Sequence, residues 1–193
     1  MKILIVSATK QESVTLQNTN IDLLVTGVGI PNTILNLTTH LCDNKYQLII
    51  NIGVCGSFNQ NNSIGNVVEV ISDQFSEIGY EENETFSRFN NSFAPKTIFK
   101  VSPQTKLESV NGITVNTVHG NKESINKVIN MFNPDVESME GAAFFMVCKS
   151  FNTSCIQIRS ISNMIEERNQ DNWDLPLAIN NLHIALQKII SKT

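Results

Sequence analysis

Asp135-Val136-Glu137-Ser138-Met139-Glu140-Gly141-Ala142-Ala143 follows Pro134 and leads into an apolar run, Phe144-Phe145-Met146-Val147-Cys148. The spacing predicts a single helix over 136–151, packed into a core. Glu137 and Glu140, three apart, then point to roughly the same helical face. Gly141, Ala142 and Ala143 carry almost no side chain, which lets another backbone come close. Acids in a first helical turn complement the helix dipole, and for Glu137 that account stays open. Glu140 borders the apolar run, where a carboxylate is costly unless something hydrogen-bonds it. Facing a cleft, it is suited to accept two hydroxyl protons, as a ribose diol would offer.

Around this stretch lie near-continuous apolar, β-branched runs at 2–8, 21–26, 47–52 and 67–71, the pattern of strands covered on both faces. After Pro31, the residues Ile34, Leu35, Leu37 and Leu41 recur at helical spacing. Further strands are predicted at 112–117 and 154–160, and helices at 122–132 and 175–190. Strands alternating with helices indicate an α/β fold: one domain, a mixed and mostly parallel sheet flanked by helices. The segment 74–111 differs, being polar and Asn-rich with Phe75, Tyr80, Phe86, Phe89 and Phe93 interspersed. It reads either as a surface excursion anchored by aromatics or as a lid or subunit contact.

Composition narrows the function classes. The 193 residues suffice for one domain with a real core. A net charge of -4 with no Lys/Arg cluster argues against nucleic acid as a partner. No apolar run approaches the ~20 residues of a membrane span. The first residues run straight into strand-like sequence, without the length of a signal peptide. Cys42, Cys55, Cys148 and Cys155 lack Cys-x-x-Cys spacing and read as buried thiols of a reduced cytoplasm. His40, His119 and His183 are scattered without ligand spacing, so no metal is expected.

In open α/β sheets the ligand sits beyond the C-terminal ends of the strands. Several notable stretches lie at such ends. Ser7-Ala8-Thr9-Lys10-Gln11-Glu12 follows the first strand; a lone Glu in such a loop is ordinarily solvated. Gly27-Val28-Gly29 and Gly53-Val54-Cys55-Gly56-Ser57 follow the next two and read as turns where backbone amides can approach a ligand. Asn116-Thr117-Val118-His119-Gly120 ends another strand, with His119 either a packed loop residue or a ligand contact. Gln157-Ile158-Arg159-Ser160-Ile161-Ser162-Asn163 runs off the last strand into a charged loop holding Glu166, Arg168 and Trp173. An Arg inside an apolar strand normally meets a carboxylate.

Taken in order, these stretches resemble the nucleoside phosphorylase and nucleosidase superfamily. Val136-Glu137-Ser138-Met139-Glu140-Gly141-Ala142-Ala143 looks like its ribose-binding signature, in the form, with an extra Ser, of the futalosine hydrolases of menaquinone biosynthesis. Those enzymes are similar also in having Asn at position 163 and in the pattern Arg168-Asn169 followed by Trp173. The resemblance implies that Glu12 activates the attacking water and that Arg159 helps hold it. It implies Glu140 and Met139 at the ribose, with Cys55 and Gly56 in the glycine-rich turn beside the sugar. Val118, His119, Ser162 and Asn163 would line the base pocket. Arg168, or failing that Arg88, would meet an aryl carboxylate beyond the ribose. Val54 departs from the family, which often has a hydroxyl residue there. The implied reaction is hydrolysis of futalosine to hypoxanthine and dehypoxanthine futalosine, with no cofactor, by a homo-oligomer, a dimer for preference. The alternatives are a methylthioadenosine/adenosylhomocysteine nucleosidase, which carries Asp where this chain has Asn163, and a non-catalytic nucleoside-binding protein.

Overall fold

The computed structural model describes residues 1–16, 21–83, 85–89 and 94–191. Strands β1 (Ile3–Ser7) and β2 (Asp22–Val25) lead to α1 (Ile30–Asp43), β3 (Leu48–Ser57) and β4 (Val67–Phe75). Short strands β5 (Tyr80–Glu82), β6 (Thr85–Ser87) and β7 (Ile98–Lys100) come next, before β8 (Glu108–Thr114). The chain ends with α2 (Lys122–Phe132), β9 (Val136–Ser138), α3 (Gly141–Ser150), β10 (Cys155–Met164) and α4 (Leu175–Ile190). This is the expected α/β class: a mixed, mostly parallel sheet flanked by helices.

The sheet does something the strand pattern alone does not announce. The ladders β3–β10, β10–β4, β4–β8, β8–β9 and β9–β3 close a five-stranded ring, and β1 and β2 extend from β3 outside it. Buried Cys55, Val68, Val70, Val110, Val136 and Ile161 cluster together, at least one from every ring strand. A second core joins α1 and α3 to the sheet through Leu37, Leu41, Phe144 and Phe145. A third seats Leu182 and Leu186 of α4 on Ile50, Ile52 and Ile158.

Three expectations need correction. The helix expected over 136–151 starts only at Gly141, because Val136–Ser138 is strand β9, paired with both β8 and β3. Glu137 and Glu140 therefore share no helical face. The glycine stretch 53–57 is no turn but the upper half of β3, kept extended by β10 along its whole length. Within 74–111, much is ordered: β4 reaches Phe75, β5 and β6 form a hairpin, and β7 pairs with β4. Phe75 packs edge-on to Phe99, Tyr80 meets Phe89, and Phe86 meets Phe132, whereas Phe93 lies outside the described residues. Of the four thiols Cys42 is exposed and the other three are buried.

A buried polar network fixes where α3 begins. The Thr114 hydroxyl donates to Asp73 Oδ1 at 2.8 Å and accepts the Ala142 N–H at 2.7 Å, satisfying an orphan donor of the first helical turn. Gln157 Nε2 donates to Asp73 Oδ2 at 3.0 Å. Gly141 lies directly against this pair: a Cβ there would stand 2.0 Å from Asp73 Oδ2 and 2.3 Å from Gln157 Nε2. Burial pushes the Asp73 carboxyl up to about 6, against the lowering by Gln157, Thr114 and the Arg159 charge.

An unfolded Asp loses its proton near pH ~4, whereas folded Asp73 keeps it until about 6. The native state therefore binds the extra proton, and the contribution to stability is present below pH ~4 and lost as pH rises through about 6. Urea unfolding of wild type and Asp73→Asn from pH 4 to 7 measures this. The wild-type stability relative to the variant should fall by about 2–3 kcal/mol across that window, and a flat difference would contradict it.

Candidate active site

One edge of β3 is shared by two strands. β1 pairs with Leu48–Asn51 and β9 with Gly56–Ser57, so Ile52–Cys55 between them face neither. The sheet forks there, and a cleft of about 210 Å³ opens in the fork. Ala8, Thr9 and Glu12 after β1 form one wall, and Glu137 to Glu140 of the β9–α3 junction form another. Ser162 and Asn163 of β10 face the cleft too, and Val118, His119, Arg168 and Trp173 close its rim.

Glu12 is 7% exposed and lies on a 3-10 helix, Gln11–Leu16. Its Oε2 accepts from the Thr9 N–H at 2.8 Å and the Thr9 hydroxyl at 2.9 Å. The Glu12 N–H gives back to Thr9 Oγ1 at 3.4 Å, completing a capping box. Oε1 points to the fork, where it accepts the Val54 N–H at 3.3 Å. From α4, His183 Nε2 pairs with the Glu12 carbonyl at 2.6 Å and ties the backbone of this turn to the core.

Glu140 is the residue before α3, and its side chain does not cap that helix. It reaches across to the N-cap of α1 instead, where Oε1 accepts the Gly29 N–H at 3.0 Å. Gly27 and Gly29 have φ of 87° and 93°, a left-handed backbone that suits glycine and turns this amide toward the carboxylate. Burial raises the Glu140 pKa; the Arg159 charge and the Gly29 N–H oppose that rise, and nearby Glu12 adds to it.

Asn163 follows a register shift in β10 and is held by its neighbours. Its Oδ1 accepts the Ser162 hydroxyl at 2.8 Å and its Nδ2 donates to the Met164 carbonyl at 3.1 Å. Among the described residues each end of the amide thus keeps one unused site, an acceptor and a donor side by side. Opposite, both oxygens of Glu137 are taken by His119: Oε1 accepts its N–H at 2.9 Å and Oε2 meets Nδ1 at 2.5 Å.

Of the residues the sequence nominates, Glu12, Glu140, Met139, Cys55, Gly56, Val118, His119, Ser162, Asn163 and Arg168 all line this cleft. Arg159 does not: it lies beneath, 1% exposed, with Nη2 donating to Asn51 Oδ1 at 2.5 Å. The carboxylate partner expected for it is absent within 4.0 Å among the described residues, because Asn51 takes that place. Arg88 is drawn away from the cleft, bonded to Gln74 at 2.6 Å and seated over the Phe132 ring. Sequence reasoning missed Thr9, the Val54 amide and Glu137's role as partner of His119. Thr9-x-x-Glu12 is capping-box spacing and could have shown the first; the others depend on strand register.

Buried carboxylates in the fork of a closed α/β sheet, facing an amide and a His–carboxylate pair, define a small-molecule site. Residues 6–191 match the sequence profile of the phosphorylase superfamily, and the chain belongs to that superfamily. Within reach of it, the chain is 22% identical over 191 residues to a futalosine hydrolase of Thermus thermophilus, covering 92% of this chain and 84% of that protein. It is 26% identical over 179 residues to a 5′-methylthioadenosine/S-adenosylhomocysteine nucleosidase of Glaesserella parasuis, covering 84% and 77%. A solved futalosine hydrolase of Helicobacter pylori has the same fold, with a TM-score of 0.85 at 18% identity over 100% of this chain and 98% of that one.

The electrostatics of Glu140 can be measured without any ligand. Its carboxyl, followed by ¹³C NMR and assigned with Glu140→Gln, should titrate above the ordinary Glu range because burial penalises the charged form. Arg159→Gln removes the opposing charge and should move the midpoint higher still. An unchanged midpoint would show that Arg159 does not act on it.

Proposed function

We propose that this protein hydrolyses the N-glycosidic bond of a purine nucleoside, and that the nucleoside is futalosine. The observation that carries the reading is the meeting of Glu12 and Glu140 in one fork, on separate elements and with different hydrogen-bond partners. Cleavage builds positive charge on the ribose and negative charge on the departing base. Carboxylates beside the sugar stabilise the first, and hydrogen bonds at the base stabilise the second. Glu140, anchored by Gly29, holds the 2′- and 3′-hydroxyls and fixes the sugar for departure. Glu12 takes a proton from the water that adds to C1′. Two carboxylates also disfavour an anionic co-substrate, which supports water over phosphate as the acceptor.

Futalosine is preferred to methylthioadenosine because of Asn163. The unused acceptor and donor of its amide match the N7–H and O6 of a departing hypoxanthine. A departing adenine presents two donors, and one would face the amide NH₂. Arg168, its guanidinium 5.1 Å from the centre of the Trp173 ring, supplies a cation at the rim for the aryl carboxylate. The Thermus relative supports this substrate and the Glaesserella relative the other. Incubating the protein with futalosine, inosine and methylthioadenosine, with and without phosphate, and assaying free base decides between them.

Glu12→Gln should leave KM for futalosine nearly unchanged and lower kcat by roughly 10²–10⁴-fold. A variant that keeps most of its turnover removes Glu12 from the chemistry.

Asn163 gives an independent check. An unmatched buried donor costs ~1–3 kcal/mol, so futalosine should exceed methylthioadenosine by about 5- to 150-fold in kcat/KM. Asn163→Asp should narrow or reverse that preference. Equal rates on both substrates in the wild type would end the assignment.

A further inference from the structure

The reaction as set out above gives no work to Glu137, although it is 2% exposed and lines the cleft. Both its oxygens are committed to His119, Oε1 to the backbone N–H at 2.9 Å and Oε2 to ring Nδ1 at 2.5 Å. This fixes the ring: Nδ1 faces the carboxylate, and Nε2 has no hydrogen-bond partner among the described residues. Phe58 packs against the ring with centroids 6.4 Å apart.

Strand register says where this pair stands. Gly56 of β3 is opposite Asn163 on one side and opposite Glu137 on the other. Asn163 and Glu137 are thus two strand spacings apart, about 10 Å. Between them Ile165 Cδ1 lies 2.2 Å from where a Gly56 Cβ would be, an apolar seat with a polar group at either end. A flat bicyclic base laid on that seat meets the Asn163 amide at one edge and the His119 side at the other.

We propose that the Glu137–His119 pair is a second contact to the leaving base, with doubly protonated His119 donating from Nε2 to the purine edge opposite Asn163. The inference rests on the nucleoside-hydrolase reading and deepens it. As the C1′–N9 bond breaks, its electron pair goes to the base. The water oxygen bonds to C1′ and its proton goes to Glu12. The base takes up a proton from solvent at N7 as it departs, which is the N7–H that Asn163 accepts, and the charge that develops ahead of that proton is what must be held. His119 keeps its own proton throughout and holds the developing negative charge, while Glu137 balances the imidazolium. Glu137 is a positioning residue, since it acts on the base only through the ring.

The test varies the charge of the leaving group. Futalosine and inosine build negative charge on the base before N7 gains its proton, whereas their 7-methyl derivatives carry a positive charge on the base from the start and build none. His119→Gln should lower kcat on the unmethylated nucleosides by roughly 10- to 100-fold with little change in KM. On the 7-methyl nucleosides the loss should be under about 3-fold, because little charge is left to hold. Glu137→Gln should show the same selectivity with a smaller loss, and matching far-UV circular dichroism melts establish that both variants are folded. Equal losses on methylated and unmethylated substrates, or no loss on either, would overturn the proposal. A wild type that cleaves none of these nucleosides would instead overturn the nucleoside-hydrolase reading beneath it.

Discussion

Arg159 places a positive charge inside the closed part of the sheet, and much of the surrounding sequence answers to it. Its side chain is 1% exposed, bonded to Asn51 Oδ1 and, more weakly, to the Ile158 carbonyl at 3.3 Å. Its Nε is buried without a hydrogen-bond partner among the described residues. A charge so placed is costly when its compensation is incomplete. Here compensation comes from two acids at longer range: the charge lowers the pKa of Asp73 and of Glu140 against the effect of their burial. Gly53 makes the room. A Cβ there would meet Arg159 Nη1 at 3.2 Å and Glu12 Oε1 at 3.0 Å. One missing side chain thus lets guanidinium and carboxylate share the space over β3.

The two carboxylates of the cleft are alike in chemistry and unlike in setting. Glu12 belongs to a local turn and is addressed by Thr9 and by a strand amide. Glu140 closes a contact between segments 111 residues apart, where it accepts the Gly29 amide. Different surroundings are how paired carboxylates take different tasks. The fork in β3 puts them together: the strand amides left without a ladder partner are those that face the cleft.

Much of this was legible in the sequence. The helices at 122–132 and 175–190 match α2 and α4 residue for residue, since their apolar spacing and flanking residues agree. The candidate residues converge because they lie at strand ends, which the α/β topology gathers at one rim. The failures share a cause. Val136-Glu137-Ser138 carries no strong preference between helix and strand, and only the vacant positions beside β3 and β8 make it a strand. Gly53 and Gly56 look like turn formers, yet they are strand residues that admit Arg159 and Ile165. Arg159 was expected to meet a carboxylate, and Asn51, two residues earlier on β3 than Gly53, could not be recognised as its partner without register.

The ring of strands also sets the order in which the molecule can be assembled. β10 is the last strand in the chain, and it pairs Cys155 with Ile49, roughly a hundred residues earlier. Until it arrives, β3 has one bare edge along its whole length and Arg159 has no interior to enter. Glu12's turn waits as well, since His183 on the final helix holds its backbone. Without β10 the isoleucine-rich β3 presents an unpaired edge, the kind that recruits other chains. Asn51 breaks the apolar run of β3 at its middle, and in the closed ring that same break becomes the seat of the Arg159 guanidinium.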